Sequence, residues 1–117
     1  MATNPKQGEV WRVDFEPTRG SEIKKTSPAV VLSNDKIGHL QLRLVVPLTG
    51  WQPAFDRWPW MTKIEPTKAN GLNKPTCADA FQTRSVSVVR FVNSIGAVTA
   101  GEFDLIVDSS NRCIRVD

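Results

Sequence analysis

The sequence predicts a mainly β domain of the β-rich α+β kind: a small barrel of short strands with one C-terminal helix. Three observations carry this. Apolar residues come in short bursts, punctuated at regular intervals by Gly, Pro and Asn, the pattern of a small barrel. The first burst alternates with period two, which a strand requires and a helix does not. A clean helix start appears only near the C-terminus, where Thr99 and Glu102 form a T-x-x-E capping box.

The elements follow in order. "EVWRVDFE", Glu9 to Glu16, sets Val10, Arg12 and Asp14 against Trp11, Val13 and Phe15, and predicts a half-buried strand. "PAVVLSN" is a continuous apolar run opened by Pro28. It predicts a central strand covered on both faces, with the proline at its first residue, where no ladder bond is lost. Asn34, Asp35 and Gly38 mark a turn before a third strand, Gln41 to Thr49. "WMTKIEP" from Trp60 is a fourth, "TCADAFQTRSVS" from Thr76 holds one or two more, and "SIGAV" from Ser94 is a short last one. Ser87 to Val92 reads as one or two helical turns with Ser87 as N-cap, and Thr99 to Ser110 as the main helix. The tail "NRCIRVD" reads as β-like, and "GWQPAFDRWPW" as a long loop carrying three of the four tryptophans.

Composition narrows the function. The 117 residues are expected to form one domain spanning 1–117, large enough for a core without disulfides or a metal. No apolar run reaches transmembrane length and the N-terminal residues lack a hydrophobic segment, so a cytoplasmic protein without membrane association is expected. Cys77 and Cys113 stand apart from each other and from any Cys or His companion, which predicts free thiols and no zinc site. A net charge of +3 and a pI of about 9.1 permit a polyanionic partner without demanding one.

His39 is the only histidine, which excludes a two-histidine acid–base ribonuclease and a His-based metal cluster. It follows Gly38 in a turn and is expected on the surface. No glycine-rich phosphate loop is present. The basic stretch Arg19, Lys24, Lys25, with Ser21, Thr26 and Ser27, has the cations and hydroxyls that hold phosphates, and equally the composition of a solvated loop. Thr49 places a hydroxyl where the third strand meets a loop, either as a reactive-site group or as a turn stabiliser. Trp51, Phe55, Trp58 and Trp60 can stack bases, cover the barrel or meet a partner.

The blocks "GEVWRVDFEP", "GSE", the "K-x-x-P" approach to "AVVLSND", "RLVVPLTGW", "ADAFQTRSVSVVRF" and "IGAVTAGEFDLI" together resemble the MazF/PemK-type toxins. These are the endoribonuclease halves of bacterial type II toxin–antitoxin pairs. The resemblance spans about Gly8 to Asp108. It implies an SH3-like β-barrel with a C-terminal helix, a homodimer, and sequence-specific, metal-independent cleavage of single-stranded RNA without a cofactor. It also implies an antitoxin that inserts into the RNA groove, for which Trp51, Trp58 and Trp60 are the candidate anchors. The family's catalytic threonine falls on Thr49. Its catalytic arginine, directly before the strand's proline, falls on Ser27, so this chain departs from the family pattern at that position. Gln82 and Arg84 fall in a block that contributes to RNA contact, beside Arg19, Lys24, Lys25 and Thr26. A nuclease scaffold weakened or silenced at Ser27 is the resulting expectation. A related toxin family uses the same barrel to poison DNA gyrase by protein contact and depends on its C-terminal residues, and an antitoxin-binding decoy is a third reading.

Overall fold

The computed structural model describes residues 3–15, 26–37 and 39–115. Among these residues, seven antiparallel strands precede one helix: β1 (Glu9–Asp14), β2 (Thr26–Val31), β3 (Leu42–Gly50), β4 (Met61–Ile64), β5 (Thr76–Asp79), β6 (Arg84–Ser87), β7 (Phe91–Ala97) and α1 (Ala100–Arg112). The spatial order is β4-β5-β3-β2-β1-β7, and β6 also pairs with β3. The longest strand, β3, makes this possible: it pairs β6 along Leu42 to Val45 and β5 along Leu48 to Gly50. This is the predicted SH3-like small barrel with a C-terminal helix, its hydrogen-bond ladder left open between β4 and β7 among the described residues.

Both faces of the central strands are buried. Val10, Val30, Val46, Leu48, Ile64 and Ala78 pack with Ile106 of α1 on one face. Val13, Ala29, Val31, Val45, Val86, Val88 and Phe91 fill the other, under Trp11 and Phe15. The expectation that β2 is covered on both faces holds, since Ala29, Val30 and Val31 are all fully buried. Its start is corrected, because pairing of Thr26 and Ser27 with β1 extends the strand back to Thr26 and makes Pro28 its third residue rather than its first. The half-buried reading of β1 is corrected. Val10 and Val13 point to opposite faces and both are fully buried, because β1 lies inside the sheet between β2 and β7. Period two finds a strand, but an edge and an interior strand differ only in what their neighbours cover.

Two further expectations change. Ser87 caps as predicted, accepting from the Val89 amide at 3.4 Å, but it starts a single 3-10 turn at Val88–Arg90, and Phe91 already opens β7. The tail is not β-like at its start, since Asn111 and Arg112 complete α1 and Cys113 is its C-cap. The Thr99 and Glu102 capping box is fully formed, with reciprocal bonds of 3.1 and 2.9 Å. Ile106 and a Thr62–Ser109 hydroxyl pair at 2.9 Å hold α1 against the sheet. No helix among the described residues is long and apolar enough to cross a membrane.

Candidate functional site

Ser27 and Thr49 come from strands that are neighbours in the sheet. Ala29 opposes Pro47 on β3, and Ser27 opposes Val13 on β1. Two residues further along each strand lead from Ala29 to Ser27 and from Pro47 to Thr49. A two-residue step keeps a side chain on the same face. Ser27 and Thr49 therefore share the face of Ala29 and Val45, at one end of the β2–β3 pair, and both are exposed. Beyond Pro47, β3 turns to pair with β5, where Thr49 opposes Cys77.

Arg84 joins this face from β6, since it opposes Val45. Its guanidinium lies 5.3 Å from the centre of the Phe15 ring, a cation–π contact that orients the charge. Beside it lies a groove of about 160 Å³ lined by Asp14, Phe15, Arg84, Ser85, Ser87 and Arg90, in which Asp14 and Arg90 are paired at 3.7 Å. The structure thus brings three predicted site residues, Ser27, Thr49 and Arg84, to one face. Thr26 opposes Asp14 and so sits on the other face of β2, half-buried. Gln82 is exposed at the end of a 3-10 turn, Ala80–Gln82. Arg19, Lys24 and Lys25 lie outside the described residues.

The aromatic loop forms a separate patch. Trp51, Phe55, Trp58, Trp60 and Phe81 make a continuous chain of rings with centroids 5.2 to 6.1 Å apart. Trp58 and Trp60 are stacked at 5.4 Å and 22°. Lys63 lies 4.9 Å over Trp51. None of these rings belongs to either core cluster, and Phe81 is 63% exposed, so the chain forms a surface rather than a plug. Phe81 was not among the sequence candidates; its place becomes evident only once the turn beside β5 folds back on Trp60.

Other reactive groups are accounted for. Both cysteines are free, and burial, reinforced by the Asp79 charge, pushes the Cys77 thiol up to about 11. The Cys113 thiol is raised by the same causes. Such thiols are not nucleophiles at neutral pH. The Arg43 guanidinium is spent on structure: it donates to the carbonyls of Pro5, Leu40 and Leu42 and to Asn4 Oδ1 at 2.6 to 3.1 Å. His39 is exposed, as expected.

The family model of the PemK-like, MazF-like toxin of type II toxin–antitoxin systems matches residues 6–109. The chain is 37% identical over 103 residues to "Endoribonuclease MazF9" of Mycobacterium tuberculosis (strain ATCC 25618 / H37Rv), covering 83% of this chain and 85% of that one. Among solved structures, a mycobacterial endoribonuclease in complex with its cognate antitoxin superposes with a TM-score of 0.73. Its identity is 18%, and the match covers 97% of this chain and 99% of the other. A MazE–MazF structure from Deinococcus radiodurans gives a TM-score of 0.74 at 20% identity, covering 94% and 95%. At these identities the structural likeness is one of fold.

Proposed function

The chain belongs to the PemK-like, MazF-like toxin family of type II toxin–antitoxin systems, and on that premise we propose that it is an endoribonuclease scaffold for single-stranded RNA whose activity is lowered or abolished at Ser27. The observation that carries this is the convergence of Thr49, Arg84 and position 27 on one exposed face, with serine where the resemblance calls for arginine. In the proposed reaction the ribose 2′-oxygen bonds to the adjacent phosphorus as the P–O5′ bond breaks. The 2′-hydroxyl proton leaves, and the departing 5′-oxygen takes one up. The products are a 2′,3′-cyclic phosphate and a 5′-hydroxyl. Thr49 hydrogen-bonds the charge that develops on the phosphorane oxygens. Arg84, with Gln82 and the cations Arg19, Lys24 and Lys25, contacts the flanking backbone. The proposed chemistry needs no metal and no cofactor, and the cell compartment is the cytoplasm.

The test is incubation of single-stranded RNA with the chain and its Ser27→Arg variant in EDTA, reading both cleavage and end chemistry. Cyclic-phosphate ends that grow with the arginine support the reading. RNA left intact by both folded proteins overturns it in favour of a protein-binding role.

The partners follow from the same premise. A homodimer is proposed because Leu42, Leu44, Val89 and Val92 leave apolar area exposed, and a two-fold contact buries one patch against its copy. Light scattering at micromolar concentration is expected to show twice the chain mass; a 13.0 kDa species alone refutes it. The antitoxin is proposed to be a disordered acidic segment anchored on the aromatic chain. Trp58, 40% exposed and flanked by rings on both sides, is its centre. Trp58→Ala is expected to weaken antitoxin binding by about 2 kcal/mol, the scale of an interface hot spot. Unchanged affinity in a normally folded variant reassigns the patch.

A further inference from the structure

We infer that the opposite face of the same sheet end carries a second phosphate-binding site, formed by Arg12, Lys74, Asn73 and the Thr76 hydroxyl. A cavity of about 300 Å³ opens there, walled by Pro28 and Leu72. That volume is at the lower bound, about 300 Å³, for small-ligand pockets. No carboxylate among the described residues lines it. Among the described residues, neither Arg12 nor Lys74 makes an ion pair or a side-chain hydrogen bond. Thr76 is only 3% exposed, and its Oγ1 is buried with no hydrogen-bond partner, the one such atom among the described residues. Leaving a buried hydroxyl unmatched is costly, and native proteins rarely do so without a use for it. Two cations, an amide and a waiting hydroxyl are the donor set of an oxyanion site.

The site is also built rigidly. The loop before β5 is tied by Asn70, 1% exposed, whose Oδ1 accepts from the Thr67 and Leu72 amides and whose Nδ2 donates to the Glu65 carbonyl. Gly71 packs its backbone directly on β7, where a Cβ would stand 2.0 Å from the Ile95 carbonyl oxygen. Pro28 follows Ser27, and Thr76 opposes Gly50, which follows Thr49. The cavity therefore backs onto the proposed cleavage face. We assign its occupant as a backbone phosphate of the RNA other than the scissile one. That assignment of source rests on the proposed function; the phosphate chemistry itself does not.

The experiment titrates the full chain with inorganic phosphate and follows amide NMR shifts. Saturable shifts at Leu72, Asn73, Lys74 and Thr76 are expected, with affinity reduced about tenfold or more in Arg12→Gln and in Lys74→Gln. Thr76→Val is expected to weaken phosphate binding while raising the melting temperature, because it removes an unmatched hydroxyl without changing shape. Shifts that are absent, or indifferent to Arg12→Gln, overturn the site. A second arm uses an all-2′-O-methyl oligoribonucleotide, which cannot be cleaved. If the occupant is an RNA phosphate, the log–log salt slope falls by about 0.7 in the Arg12→Gln, Lys74→Gln double variant. If phosphate binding is lost and the slope stays, the site takes a free phosphate-bearing molecule instead. Neither arm measures cleavage, so failure of the nuclease reading leaves the phosphate result standing.

Discussion

Ser27→Arg is expected to raise metal-independent cleavage of single-stranded RNA by about a hundredfold or more. A donor aimed at charge that develops in the transition state contributes roughly a hundred- to a thousandfold, and a hundredfold corresponds to about 2.7 kcal/mol of barrier. A guanidinium brings permanent charge and a planar fork of N–H donors, where serine brings one hydroxyl. The fold should accept the change readily, since Ser27 is exposed at the end of β2 and a longer side chain meets solvent rather than core. Arg84 on the same face adds to the positive field that draws a phosphate in. Thr49→Ala in the Ser27→Arg background should lower the rate again, and Ser27→Lys should restore less than arginine, because a point charge lacks the fork. The readout is a fluorogenic RNA assay in EDTA on protein whose fold is checked by circular dichroism.

Gly71→Ala is expected to destabilise the fold by about 2 to 5 kcal/mol, and Gly8→Ala by only about 1 to 2. Both glycines have left-handed backbone, at φ of +69° and +84°. An L side chain there costs roughly 1 to 2 kcal/mol. A Cβ at Gly8 meets nothing within 4 Å, whereas at Gly71 it collides with the Ile95 carbonyl, which is backbone and cannot swing aside. Overpacking of that kind adds about 1 to 3 kcal/mol. The difference between the two variants isolates the collision from the strain. Denaturant midpoints at unchanged m-value measure it; equal losses would mean that the loop yields.

Local chemistry was readable in the sequence and long-range assembly was not. The Thr99–Glu102 box appears in the structure as predicted because all its partners lie within one turn. Ser87 also caps, yet how far a helix continues depends on competing pairings, and β1 draws Phe91 into β7 by opposing it with Val13. Tertiary pairing outweighs propensity there. In the candidate site, residue type and position single out Thr49 and Ser27, resemblance assigns their roles, and their common face follows from antiparallel register. The cavity of Arg12, Lys74 and Thr76 left no such trace. Its walls come from β1, β2, β5, β7 and the loop before β5, and no periodicity along the chain marks a buried hydroxyl as unmatched. Arg12 was legible only as one polar residue opposite the Trp11, Val13, Phe15 row.

Three of the four tryptophans stand in the aromatic chain, while Trp11 meets Phe91 edge-on at 5.7 Å and packs against the core. The intrinsic fluorescence of this chain is therefore dominated by one surface loop rather than sampled evenly from its interior. Emission should change when something docks on that loop, without any attached dye. For the same reason, an unfolding curve followed by fluorescence reports the release of the loop from Phe81 and Lys63, and matches the backbone transition only if the two melt as one cooperative unit.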